Sequence, residues 1–426
     1  MHRLIVDLYP ICRSITGDGM RSSLRMLQSH VPLALREVPS GTQVLDWTVP
    51  PEWNVREAFI ANDRKERVID LRNSTLHLVS YSEPVRARLP LAELGTHLHS
   101  IPEKPDLIPY RTSYYRRDWG FCLSQKQRES LADGEYEVVI DSSLEPGHLT
   151  YGELFLPGDI PDEVLLSVHC CHPSLCNDNL SGMALGTFLA AHLGGLRLRY
   201  SYRFLFLPGA IGALTWLALN EDRVHRIHAG LVAACVGDPG PFTYKRTRRG
   251  TAEIDRAVEH VLKHSGKPHA VRDFSPTGYD ERQYCSPGYD LPVGSLMRTP
   301  AGEFPEYHTS ADNTDFVRAG ALEESLAAYL RTIEVLEHNR VFVNLNPRGE
   351  PQLGRRGLYS STGGYGSTPE EQTALLWVLN FSDGKHTLLD IAERSGMRFG
   401  LIRAAAARLQ DAGLLREAAP QTAANS

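Results

Sequence analysis

Between Pro161 and Cys235 the chain alternates short apolar runs with helix-length stretches, and this restricts its fold more than any other feature. The runs 164–168, 203–207 and 230–235 are too short for helices, and the segments 182–192 and 213–219 between them carry helical patterning. Such alternation predicts an α/β sheet whose parallel strands are buried on both faces, with ligand-binding loops at the strands' carboxyl ends. His172 follows the first run, Pro208-Gly209 the second and Gly237-Asp238 the third. Three strand ends therefore deliver polar or glycine-rich loops to one edge, as a single active site requires.

The flanking segments read differently. Residues 1–45 look helical, with Ile5, Leu8, Tyr9, Ile11, Leu24, Leu27 and Val31 at helix-like spacing. From Trp47 the runs 55–60, 67–70, 76–79, 117–123, 136–140 and 149–156 are β-branched or aromatic and separated by turn formers, which predicts an inserted β-rich domain at 46–155. The α/β domain then occupies 156–346. A linker follows at 347–368, centred on Ser360-Ser361-Thr362-Gly363-Gly364-Tyr365-Gly366. Helices expected at 371–380, 387–395 and 399–412, the second capped by Thr387 and the last ended by Gly413, give 369–426 the layout of a winged helix-turn-helix.

At 426 residues the chain exceeds what one hydrophobic core serves, so two or three domains are expected. A formal net charge of −6 gives no bulk attraction to nucleic acid or an anionic membrane. The basic run Tyr244-Lys245-Arg246-Thr247-Arg248-Arg249 reads as a solvated loop or a local anion site. Within 368–417, six bases face seven acids, so this segment lacks the charge excess that phosphate neutralisation demands, and packing, assembly or covering the active site is its expected role. A homo-oligomer is left open.

Residues 1–20 carry Asp7, Arg13 and Asp18 among their apolar positions and read as an amphipathic helix rather than an export signal. No run approaches the roughly 20 apolar residues of a membrane span. The expectation is a soluble cytoplasmic protein. Seven cysteines without paired CxxC spacing argue against a disulfide framework or a zinc ribbon. Cys170, Cys171 and Cys176 surround His172, so thiolate ligation has to be weighed, but free cysteine is commonly a small buried hydrophobe.

His172, Asp178, Asp238 and His308 are the metal-capable side chains at strand ends or in polar loops. Imidazoles and carboxylates are the donors zinc takes in hydrolytic sites, which makes a metal-assisted hydrolase the first hypothesis. Asp238 before Pro239 also reads as a turn residue, His308 as a cap or packing residue, and His169 as the end of its strand.

The segment Cys171-His172-Pro173-Ser174 with Asn177-Asp178-Asn179-Leu180-Ser181-Gly182 resembles the metal loop of zinc-dependent exopeptidases of the bacterial aminopeptidase type. With Ile108-Pro109-Tyr110, Ser113-Tyr114-Tyr115, Trp119-Gly120-Phe121-Cys122 and the stretches 280–288, 291–298 and 305–310, the whole chain is similar to an uncharacterised aminopeptidase-like bacterial family. That family has a split peptidase domain, an inserted domain of unknown function and a C-terminal winged helix. The resemblance implies a zinc-exopeptidase-like, mostly parallel α/β sheet flanked by helices. It also implies one or two zinc ions, with Asp178 shared between a site of His172 and Asp238 and a site with His308.

One departure bears on chemistry. The well-studied exopeptidases carry two adjacent glutamates after the next strand, a general base and a metal ligand, where this chain has Gly209-Ala210. General-base assistance is worth roughly 10²–10⁴ in rate, so a replacement is expected if the chain hydrolyses amides. Glu306 and Glu281 are the catalytic candidates, with Asp280 and Glu303 behind them. Asp280 and Glu281 beside Arg282 could instead form a surface ion pair; as a substrate-binding set, Asp280 and Arg282 would hold the polar end of a small peptide or aminoacylated substrate, an acid facing its ammonium. Tyr114 and Tyr115, with Trp119, read first as packing at the insert boundary and second as pocket walls. The function expected is a metal-dependent, aminopeptidase-like amide hydrolase, the alternatives being a non-catalytic zinc or ligand-binding relative and a DNA-binding regulator.

Overall fold

The computed structural model describes residues 1–359 and 368–418, and the glycine-rich linker expected at 360–366 lies outside them. Two compact units are present: Met1–Asp255 with Lys267–Ala327, and Arg256–Gly266 with Ala328–Ser426. Among the described residues, no helix is long and apolar enough to cross a membrane.

The first unit is built on an eight-stranded sheet. Its strands are β1 (Ala34–Pro39), β2 (His148–Leu156), β3 (Glu163–His169), β4 (Ser201–Leu207), β5 (Ile227–Ala233), β6 (Phe242–Lys245), β7 (His269–Arg272) and β8 (Val293–Met297), in the order β1-β2-β4-β3-β5-β8-β6-β7. The pairs β3/β4, β3/β5, β5/β8 and β6/β7 are parallel, whereas β1/β2, β2/β4 and β6/β8 are antiparallel. The sheet is thus mixed, with a parallel centre. Every residue of β3 and β4 is buried, as their uninterrupted apolar runs anticipate, and helices Ser181–Leu193 and Ile211–Leu219 follow them directly.

The helical expectation for 1–45 is corrected: helices occupy His2–Leu8 and Asp18–Gln28, and the rest supplies an edge strand, β1. The single helix expected over 1–20 is two helices for the same reason, a break around Pro10 that removes a backbone donor. The run 149–156, read as part of the insert, is β2 of the central sheet. In the basic run, Tyr244 and Lys245 lie buried in β6, while Arg246 pairs with Asp273 at 2.7 Å and Arg248 and Arg249 pair with Asp290 at 2.9 and 3.2 Å. The run is thus a buried strand end followed by a loop whose exposed arginines are ion-paired, not a free anion site.

Between β1 and β2 the chain forms a four-stranded antiparallel sheet in the order Arg67–Asp70, Glu52–Ala61, Glu135–Glu145, Val85–Pro90. The strand expected at 76–79 is instead a helical turn, Thr75–His77, and that at 117–123 contracts to Phe121–Cys122. Both errors arise because apolar residues in a buried loop mimic strand composition.

In the second unit, helices Pro369–Phe381, Leu388–Ser395 and Phe399–Asp411 accompany a three-stranded antiparallel sheet of Asp383–Thr387, Val341–Asn344 and Leu415–Glu417. Thr368 with Glu371, and Thr387 with Asp390, form reciprocal caps at the first two helices. Gly413 at φ +69 ends the third. The first strand of this sheet precedes the expected start at 369.

One charged group interrupts the central apolar layer. Arg203 of β4 donates to Glu163 at 2.6 and 3.0 Å and to Glu153 at 2.6 Å, and Trp216 also donates to Glu153. Removing the cation would leave buried Glu163 without its ion-pair partner and Glu153 with only Arg36 and Trp216, so Arg203→Ala is expected to lower the unfolding free energy by about 3–5 kcal/mol. Urea denaturation checks this, and a loss under about 1 kcal/mol contradicts it.

Candidate metal centre

Strand β3 ends at His169, and the chain passes through Cys170 and Cys171 to His172 before the loop 176–180 leads into helix Ser181–Leu193. The loop's polar groups are almost all committed to backbone. Asn177 and Asp178 donate their amides to the Asp312 carboxylate at 2.6 and 3.0 Å, and Cys176 donates to the Asp312 carbonyl at 3.0 Å. The Asn177 side chain accepts from the Gly237 amide at 2.9 Å, and Asn179 donates to the carbonyls of Ala233 and His169 at 2.9 and 3.2 Å. Ser181 donates to the Asn177 carbonyl at 2.7 Å and accepts from the Val236 amide at 3.1 Å. Gly182 is required by close approach, since a Cβ there would lie 2.4 Å from the Ala233 carbonyl oxygen. Buried Arg13 donates to the His172 carbonyl at 3.1 Å.

What remains uncommitted in this loop is the Asp178 carboxylate, and it faces three imidazoles. Oδ1 lies 2.8 Å from His169 Nε2 and 3.6 Å from His172 Nδ1, and Oδ2 lies 3.0 Å from His308 Nε2. One ligand atom each of His169, His172 and Asp178 falls within 4.8 Å of the others. His172 Nδ1 is buried 3.6 Å from Asp178 Oδ1, beyond hydrogen-bond distance, and has no hydrogen-bond partner. Asp178 is fully buried, which alone would raise its carboxyl. The charge of His172 and the bonds from His169 and His308 outweigh that and hold it well below the usual carboxylate range.

His308 is held in the left-handed region at φ +52. Its loop is clamped by the insert: Tyr110 donates its amide to the His308 carbonyl at 2.9 Å, Ser310 donates to the Ile108 carbonyl at 2.9 Å, and Lys104 donates to the Pro305 carbonyl. The over-determined loop offsets the ~1–2 kcal/mol such a conformation costs. The Tyr110 ring meets both His172 and His308 edge-on at 5.1 Å, Tyr307 stacks on His308 at 3.9 Å, and Tyr279 stacks on His169 at 4.7 Å. Aromatic rings thus fix three imidazoles around one carboxylate.

Residues 2–339 match the family described as a domain of unknown function, DUF4910, and residues 340–417 match a winged helix-turn-helix. The chain belongs to the DUF4910 family. A relative from Clostridium acetobutylicum, named for polysaccharide biosynthesis and an aminopeptidase-like domain, is 53% identical over 416 residues, covering 98% of this chain and 96% of its own. A crystal structure named for a peptidase, also from Clostridium acetobutylicum, superposes with a TM-score of 0.94 at 52% identity, covering 98% and 95% of the two chains. A zinc aminopeptidase from Bacillus subtilis shares the fold, with a TM-score of 0.56 at 12% identity over 79% and 93%.

In this DUF4910 chain the other expected site residues are placed as follows. The Asp238 carboxylate accepts from Thr299 Oγ1 at 2.6 Å, the Gly240 amide at 2.8 Å, Asn177 Nδ2 at 3.1 Å and the Thr299 amide at 3.2 Å, so it secures a turn beside the cluster. Glu281 is fully buried and paired with Lys245 at 2.8 Å through Oε1, while Asp280, also buried, has an oxygen without a partner. These two acids are buried rather than a surface pair, and Arg282 alone is exposed. Glu306 is half-buried and bonds Thr309 through its carbonyl. Glu303 is turned outward to an ion pair with Arg272. Tyr114 touches the Tyr110 hydroxyl at 3.0 Å, whereas Tyr115 is exposed against Trp47 and Trp119 stacks on His97 at 3.6 Å. All seven cysteines are free, and burial drives the Cys171 thiol up to about 12.

Sequence reading missed His169, Asp312, Tyr110 and Tyr279 as contributors. For His169 the signal was present, a histidine on the last position of a strand already assigned to the site edge.

The carboxylate's depressed pKa fixes a sign. An acid whose native pKa lies below its unfolded value stabilises the fold above that unfolded value, about 3.9 for Asp, and the contribution is lost as pH falls through the native one. In chelator, the wild type is expected to lose unfolding free energy more steeply than Asp178→Asn below about pH 5. Parallel urea-denaturation curves for the two proteins against pH would contradict this.

Proposed function

We propose that this chain is a metal-dependent amide hydrolase of aminopeptidase-like character, with zinc as its metal and a small peptide or aminoacylated metabolite as its substrate. One observation carries the reading: a buried carboxylate flanked by three imidazoles, one with an orphaned nitrogen, at the carboxyl edge of the sheet. A buried anion with nitrogen donors on both sides fits a divalent cation, and an imidazole-carboxylate set is within zinc's repertoire. Asp178, His172 and His169 would hold the ion, with His308, beside the other Asp178 oxygen, completing the set. When bound, zinc polarises a carbonyl and acidifies water.

The chain's own groups do the rest. Asp312 and Asn179 orient the loop that presents Asp178, Arg13 fixes the backbone of His172, and the rings of Tyr110, Tyr279 and Tyr307 restrict water around the imidazoles. The aminopeptidase-like domain in the name of the 53% identical relative supports the reaction class. Seven free cysteines and the net charge of −6 support a cytoplasmic setting without a nucleic-acid partner. A second reading, a non-catalytic metal-dependent binding protein, is favoured by Gly209, which leaves the loop after β4 without a side chain.

Zinc content and turnover of amino-acid anilides and short peptides, with and without chelator, test the proposal. Stoichiometric zinc with chelator-sensitive turnover is expected, zinc without turnover favours the second reading, and failure to bind zinc overturns both. Asp178→Asn is expected to abolish stoichiometric binding. Asp312→Asn, which can accept at only one oxygen where two amides now donate, is expected to weaken zinc affinity by roughly 10–100-fold in a competition titration. Unchanged affinity would contradict that role.

A further inference from the structure

We infer that Asp280 supplies the carboxylate that the loop after β4 lacks, receiving the proton of the attacking water and returning it to the departing amine. This rests on the hydrolase reading above and names the group that would do its proton transfer.

Two contacts meet at His169. A Cβ built on Gly209 would lie 3.2 Å from His169 Cβ and 3.9 Å from Cys171 Sγ, so a side chain at 209 would be directed at the imidazole cluster. Burial raises the thiols of Cys171 and Cys170, and the Asp280 charge adds to that rise. The residue before it, Tyr279, lies flat on His169. The position emptied at Gly209 and the segment that carries Asp280 thus both flank His169.

Asp280 is also the acid whose chemistry is uncommitted. It is 2% exposed, and Oδ2 has no hydrogen-bond partner. Leaving a buried carboxylate oxygen unpaired costs several kcal/mol, on the order of a lost charged hydrogen bond, which a group retained for reaction can bear. Glu281 also has an oxygen without a partner, Oε2, but differs in that its Oε1 is paired with Lys245 at 2.8 Å. Burial, reinforced by the Glu281 charge and opposed by Arg282, raises the Asp280 carboxyl to about 7, within the range suited to general-base work near neutral pH.

The proton balance closes without another reactant. As the water oxygen forms its bond to the amide carbon, its O–H bond breaks and the proton passes to Asp280. As the C–N bond breaks, that proton goes to the amine nitrogen, leaving a carboxylic acid product and regenerating the Asp280 carboxylate. If Asp280 only anchored a substrate ammonium, its loss would raise KM; as the base, its loss lowers kcat.

The test uses the zinc-loaded full chain on amino-acid anilides, comparing wild type, Asp280→Asn, Asp280→Glu and the double variant Gly209→Glu/Asp280→Asn, each with zinc content and thermal unfolding measured. The expected result is a fall in kcat of roughly 10²–10⁴ for Asp280→Asn at unchanged zinc content, partial recovery in Asp280→Glu, and recovery in the double variant. The acidic limb of kcat against pH near 7 should also disappear in Asp280→Asn. Wild-type turnover retained by a folded, zinc-loaded Asp280→Asn, or a change confined to KM, overturns the assignment alone. A zinc-loaded wild type without turnover on the panel overturns the assignment together with the hydrolase reading.

Discussion

A negative charge sealed at the end of a parallel strand needs cationic company, and the architecture around Asp178 supplies it. A buried carboxylate without partners would protonate. Here His169 and His172 approach one oxygen and His308 the other, and together they keep the group ionised despite its burial. A divalent cation would satisfy the same field more completely than imidazoles alone, because it would take the carboxylate as a ligand and, once His172 is neutral, the buried Nδ1 that has no partner.

The rest of the first unit can be understood as what holds that arrangement. Two-sided burial of β3 and β4 fixes where the strand ends lie. The side chains of Asn177, Asn179, Ser181 and Asp312 then tie the loop to the ends of the neighbouring elements, so Asp178 has little freedom left. The insert does more than decorate the sheet edge: its 108–110 segment pairs with the His308 loop and places a tyrosine against two of the three imidazoles. The winged-helix unit carries its own buried residues and helix caps.

The parallel centre of the sheet was legible because fully buried strands have no polar alternation, and 164–168 and 203–207 show none apart from Ser167 and the ion-paired Arg203. The edges were not. The strand at 34–39 carries exposed charges and that at 148–156 mixes polar with apolar residues, and only pairing with β4 through β2 reveals which sheet they join. At the site, His172, Asp178 and His308 could be selected from residue type, and the structure brings them together. Asp238 had the same chemistry, but its surroundings of four donors follow from Thr299 and Gly240, whose proximity no local pattern encodes. His169 was undervalued because a histidine closing a strand has a sufficient structural explanation until Asp178 is seen 2.8 Å away.

The most direct test of the central claim is zinc-edge X-ray absorption on the zinc-loaded protein. A first shell of nitrogen and oxygen at about 2.0–2.1 Å with outer-shell scattering from imidazole, lost in Asp178→Asn, is the predicted spectrum. A sulfur shell near about 2.3 Å, which would move the ion to Cys170, Cys171 or Cys176, would contradict it, as would a spectrum indifferent to Asp178.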